Sequence, residues 1–374
     1  MLEVGSKIGF SCSILGRAAW KGKWRFNKVR CMKTNKKPLF FIVTFLTLGL
    51  LLSACGSSDS TEETQPVAEE ETTQEEIPAE TSDINPFTGE TGGLDNPVIV
   101  VKIDNVNPAR PQWGLAEADI VFVEEVEAGL TRLAAVFSSN LPEKVGPVRS
   151  ARISDLEIMS QFGTPAFAYS GAQKRLLPEI ASANIVELAH GSSGGVYNRE
   201  ATKRAPHNLT INLREAAPTL VGVSTPKDVG LVFDEAAATG GTATSTFNAK
   251  WPASRVGAEW DAVNNGWVIA LDSAPALDAN TNAPIFANNI VIQFVNQGDS
   301  IYKDSGGNFT PLIETVGSGT AVVLRDGQRF EVDWSRPIAT GGTSYSLAGS
   351  PFSFAPGQTW VLFVPTTYDV TFEP

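Results

Sequence analysis

The sequence predicts an α+β fold: an N-terminal α/β-type layered domain followed by a mostly antiparallel β domain. Three observations lead there. Between residues 98 and 188, β-branched runs alternate with amphipathic stretches, the pattern of strands and helices packed in layers. From about residue 224 the helical periodicity fades and strand-like runs follow one another. The cysteines are Cys12, Cys31 and Cys55, so everything after residue 55 must fold on its apolar core, without disulfides or thiolate metal sites. At 374 residues and 42% hydrophobic, the chain is large enough for one or two such cores.

Taken in order, residues 98–104 (VIVVKID) read as a strand because β-branched side chains fit a pleated surface. A loop follows over 105–112, then a short helical turn at 115–118. Residues 119–126 (DIVFVEEV) and 133–139 (LAAVFSS) read as a hairpin whose turn holds Gly129 and Thr131. The loop 144–148 leads into Arg149-Ser150-Ala151-Arg152. Ile153, Leu156, Met159 and Phe162 recur at three-residue spacing, which predicts an amphipathic helix over 150–162 with Ser150 as its N-cap. A strand at 166–170, a helix at 173–182 and a strand at 185–188 complete the first domain. In the second, strands are expected at 266–271, 289–294, 321–324, 329–334 and 359–364. Asp326-Gly327 makes a hairpin turn between two of them. Trp260, Trp267, Trp334 and Trp360 read as core.

Ahead of these domains lies a targeting region. Lys33, Lys36 and Lys37 precede an apolar run from 39 to 52, which ends in Leu52-Ser53-Ala54-Cys55-Gly56. The run is short for a membrane span and ends in small residues before a cysteine, so 32–54 reads as a lipoprotein signal peptide and Cys55 as the lipidated residue. Residues 1–31 are basic and read as an extension ahead of the true start at Met32. From Gly56 to Pro86 there are ten acids and no Lys or Arg, and large apolar residues are nearly absent. Residues 55–86 therefore read as a disordered acidic tether, followed by domains at 87–223 and 224–374.

Charge narrows the function classes. The first 54 residues carry ten basic residues and one acid, Glu3, which leaves 19 basic and 40 acidic residues and a formal charge of −21 for 55–374. That balance disfavours nucleic acid as a partner, since neutralising phosphates requires basic surface. The expected partners are the membrane, through lipid on Cys55, and an anionic envelope ligand met by a local cationic cluster.

Several motifs now fall into a known order. NPFTGE, VVKIDN, ARPQWGLAEADIVFVE, AGLTRLAAVF, EKVGPVRSAR and RAPHNL, with GQTWVLFVP near the end, resemble the DUF3048 family of membrane-anchored lipoproteins over roughly residues 85–374. The resemblance implies architecture and location and brings no catalytic residues. Ala128 stands where a second turn glycine is expected.

Arg149, Ser150 and Arg152 are the first candidates for chemistry. A glycine-containing loop enters a helix there, and two arginines three residues apart can grip phosphate or carboxylate. The competing reading pairs these arginines with Glu124, Glu125, Glu127 or Asp155 as structural bridges. Arg204 and His207, in a Gly-rich basic stretch, would join them if the two clusters meet; the competing reading has His207 pin its loop through a hydrogen bond. Asp104 at a strand end is a candidate ligand for a divalent cation or a partner for an arginine. No zinc, Walker or nucleophile-elbow motif is present. The order of two strands followed by GPVRSAR is similar to that of the LytR–CpsA–Psr envelope enzymes, an analogy of topology alone. The sequence thus leaves three functions open: an accessory lipoprotein binding an anionic envelope ligand, a phosphoryl- or glycosyl-transfer enzyme, or a protein-binding scaffold.

Overall fold

In the computed structural model, residues 83–374 are described. Cys55, the signal peptide and nearly all of the tether lie outside them. Residues just before the expected boundary at 87 are already packed into the fold. Asn85 is fully buried, its amide donates to the Glu90 carbonyl at 2.7 Å, and its side chain accepts from the Phe87 amide at 2.9 Å.

Strand β1 (Ile99–Asp104) is buried at every position, which explains its near-continuous β-branched sequence. It pairs antiparallel with β3 (Thr131–Phe137), and β3 pairs with β2 (Ile120–Glu125) as the predicted hairpin. On its other side β1 runs parallel to β4 (Ala166–Tyr169), which runs parallel to β5 (Val186–Ala189). The helices between are shorter than their periodicity suggests: α1 is Ile153–Met159, continued by one 3-10 turn at Ser160–Phe162, and α2 is Leu177–Ser182.

The two predicted domains share one sheet. Strand Thr359–Pro365, near the C-terminus, lies parallel to β2 on one side and to Asn289–Val295 on the other. Gly317–Arg325 and Gln328–Arg336 extend the sheet beyond Asn289–Val295, giving twelve strands in all. Asp326 and Gly327 take positive φ (52° and 67°), as a two-residue hairpin turn requires. The second half also forms a separate antiparallel sheet built on Thr246–Trp251, Ser254–Asp261 and Gly266–Leu271.

The central sheet therefore has two unlike coverings. On one face Val101, Val121, Leu133 and Trp360 pack with Trp251 and Trp267 of the second sheet. On the other, Val100, Phe122 and Val136 pack with Ile158, Met159 and Phe162 from α1 and its extension. Trp267, Trp334 and Trp360 are core as expected, while Trp260 is half-buried.

Candidate functional site

The hairpin register builds the site. Asp104 lies opposite Arg132 across the β1–β3 pair, and Arg132 lies opposite Glu124 across β3–β2. Directly opposed residues share a sheet face, and so do residues two apart on a strand. Lys102, Asp104, Arg132 and Glu124 are thus gathered on the face that α1 covers. All four are buried.

Lys102 is enclosed entirely. Its ammonium contacts the Glu124 carboxylate and donates to Asp155 Oδ1 of α1 at 2.7 Å, while the Ser154 hydroxyl donates to Glu124. Burial pushes the ammonium down to about 8, with Asp155 pulling it upward. One cation thus bridges two carboxylates, so each buried ion has an opposite partner.

Two nitrogens converge on one oxygen of Asp104: Arg149 Nε and His207 Nδ1 each lie 2.8 Å from Oδ2. The Lys144–Arg149 segment is threaded between β1 and the Leu209–Ile211 strand. The Arg149 amide donates to the Lys102 carbonyl at 2.8 Å, and the Val148 amide donates to the Leu209 carbonyl at 2.7 Å. Gly146, at φ 154°, passes so close that a Cβ would sit 2.6 Å from the Leu209 carbonyl oxygen. The RAPHNL loop is held by Lys203, which donates to the Ala109 carbonyl at 2.7 Å and lies 3.8 Å over the Trp113 ring. That loop delivers His207 to Asp104.

Arg152 is paired with Glu127, at 2.7 Å through Nη2 and 3.0 Å through Nε. Burial pushes Glu127 up, but the Arg152 guanidinium outweighs it and holds the carboxyl below the usual range. Arg132 differs from both neighbours. It is 8% exposed, it donates from Nη1 to the Ser150 carbonyl at 2.8 Å, and among the described residues it forms no ion pair. Burial, then the charges of Arg152 and Arg149, push its guanidinium down to about 9, against the pull of Asp104 and Glu127.

The three arginines line a cleft of about 670 Å³ together with Asp104, Glu127 and Ser150. Its far wall comes from the second half of the chain, the hairpin of Gln297–Lys303 and Phe309–Ile313, which supplies Tyr302, Lys303 and Thr310. The Gln173 side chain donates to the Lys303 carbonyl, and Gln297 Nε2 donates to Glu125 Oε2 at 2.8 Å, fastening the hairpin in place.

Several expectations change. Ser150 is not the helix N-cap: α1 starts at Ile153, and Asp155 Oδ2 accepts from the Arg152 amide at 2.6 Å. The protein's own carboxylate thus sits at the start of this helix. Arg149 and Arg152 are not on a shared helical face; they meet because the loop folds back against β1. Arg204 is exposed and lines no part of the cleft, since its turn faces outward while its carbonyl accepts from the His207 amide. Asp104 is engaged by Arg149 and His207 instead of being presented to a cation, and no cluster of three potential metal ligands occurs among the described residues. Sequence reading missed Lys102 and Arg132. Lys102 was visible as a lone charge in an apolar run, a residue that must find partners if buried.

Comparison with known proteins agrees with this architecture. Two family models match in tandem: the N-terminal domain of the protein of unknown function DUF3048 at residues 87–222, and its C-terminal domain at 247–361. YerB of Bacillus subtilis (strain 168), whose name designates it a lipoprotein, is 27% identical over 281 residues, spanning 72% of this chain and 81% of the relative. The crystal structure of YerB superposes with a TM-score of 0.65 at 24% identity, covering 77% of this chain and 99% of that one. Nearly all of the solved chain is thus matched by this folded unit.

Proposed function

The chain belongs to the DUF3048 family, and from that footing we propose that it is a lipid-anchored extracytoplasmic protein whose arginine cleft binds an anionic ligand of the cell envelope. The lipobox at Cys55 and the acidic run behind it support the location, with the tether holding the cleft off an anionic membrane surface. No helix among the described residues is long and apolar enough to cross a membrane.

Arg132 carries the binding reading. A guanidinium buried beside two others, with no acid of its own, is disfavoured by its surroundings and would be stabilised by an anion entering the cleft. Arg149 and Arg152 are each held by a carboxylate, so their orientation is set before the ligand arrives.

Thermal unfolding of residues 83–374 with inorganic phosphate and diphosphate tests this. A ligand at about 100 times its dissociation constant adds roughly 2.7 kcal/mol to the native state. The expected result is a rise in melting temperature that Arg132→Gln abolishes. An equal rise in Arg132→Gln, or none in the parent, overturns the reading.

A further inference from the structure

The cleft is not uniformly polar. Facing the arginines, its wall includes Leu130, Ile153 and Ala172, all half-buried, and the buried Leu176 and Tyr302. A free inorganic anion would leave that wall in contact with water.

The apolar surface continues outside. Ile301, Phe309 and Leu312 on the cleft-lining hairpin are 73%, 42% and 42% exposed, and Leu177, next to the cleft residue Leu176, is 46% exposed. These are four of the nine large hydrophobic side chains that stand exposed among the described residues; three stand on the hairpin that supplies part of the cleft wall, and the fourth follows a lining residue in the chain. Lys303 joins inside to outside: it lines the cleft, and its ammonium lies 3.8 Å over the Phe309 ring. Exposed apolar residues scattered singly need no explanation, whereas a cluster beside a ligand cleft does.

We infer that the ligand is an amphiphile, a phosphate or diphosphate head esterified to a hydrocarbon chain. The head meets Arg132, Arg149 and Arg152, and the chain runs along Leu130 and Ile153 and leaves over Phe309 and Leu312. This inference rests on the anion-binding reading above, and it excludes a bare inorganic anion as the cognate ligand. Recognition then combines guanidinium–phosphate hydrogen bonds with hydrocarbon burial, each weak without the other.

The test is isothermal titration of residues 83–374 with inorganic phosphate, butyl phosphate and octyl phosphate, all below micelle formation, and with octanol as the uncharged control. Each buried methylene should tighten binding roughly two- to fourfold, so octyl phosphate should bind at least about tenfold more tightly than inorganic phosphate. Phe309→Ser/Leu312→Ser, a change of surface residues, should shrink the ratio of octyl phosphate to inorganic phosphate affinity. Arg132→Gln should remove binding of all three anions. Equal affinity for phosphate and octyl phosphate overturns the amphiphile and leaves the anion site standing. Octanol binding as tightly as octyl phosphate, or a chain-length effect that survives in Arg132→Gln, overturns it as non-specific adsorption. Failure of every anion to bind overturns the anion reading itself.

Discussion

The two faces of the central sheet solve the same packing problem in opposite ways. Toward the second sheet, Val101, Leu133, Trp360 and Leu362 meet Trp251 and Trp267 in an apolar layer. Toward α1, the same strands present Lys102, Asp104, Glu124 and Arg132 at one end. The apolar face gains stability from burial alone. The charged face must give each ion an opposite partner before burial is tolerable, and Lys102 serves two carboxylates, Glu124 and Asp155. Arg132 is the place where matching stops short, and it borders the cleft. The contrast teaches that apolar packing holds this sheet from both sides, while the charged cluster is confined to one end of one face.

That contrast can be broken experimentally, beginning with its largest expected effect. Lys102→Met leaves Glu124 and Asp155 buried without their cation, and unfolding by denaturant should show a loss of about 3–5 kcal/mol. Adding Glu124→Leu and Asp155→Asn should restore most of that; failure to do so would mean that Lys102 contributes packing instead of charge matching. On the other face, Leu362→Ala should cost about 3 kcal/mol through cavity formation, by the same amount at pH 5 and pH 8. A strong pH dependence there would erase the distinction between the faces.

Acid should act on the charged face. Because Glu127 is held below its ordinary value of 4.5, the Arg152 pair stabilises the fold above that pH and ceases to do so as pH falls through the lower folded value. Arg152→Gln should therefore be less stable than the parent at pH 6, with the gap narrowing by pH 3. A gap that stays constant would show that Arg152 acts through contacts other than this pair. The smallest effect concerns the β2–β3 turn, where Ala128 takes a positive φ of 61°. Ala128→Gly should relieve that strain and add about 0.5–1 kcal/mol, less the chain entropy that glycine introduces. Gly129 beside it admits no such change, because a Cβ would come within 2.5 Å of Pro252.

How much of this was legible depends on the distance between the residues involved. The β1 run, the β2–β3 hairpin and the Asp326-Gly327 turn declare themselves within a few neighbouring residues, since β-branched side chains and positive-φ turn positions are local requirements. Arg149 and Arg152 stood out for the same reason, as a basic pair after a glycine-containing loop. The start of α1 did not. Ser150 looked like a cap, but the threading of Val148 and Arg149 beside β1 and Leu209 holds the chain extended until Arg152. The competing structural reading holds for Arg152, which pairs with Glu127, and in kind for Arg149, which pairs with Asp104 and with none of the four acids expected.

By itself the sequence determined the α+β class, the location of most strands, the charge asymmetry and the presence of arginines able to meet an anion, because propensity, periodicity and composition are properties of nearby residues. Tertiary structure alone decided that Thr359–Pro365 would join the halves into one sheet, that Arg132 would complete the cleft, that Arg204 would be left outside it and that a hairpin from the second half would form its wall. Those outcomes depend on strand pairing and loop threading between residues far apart in the chain, where register places a side chain on one face or the other and no local pattern records the choice.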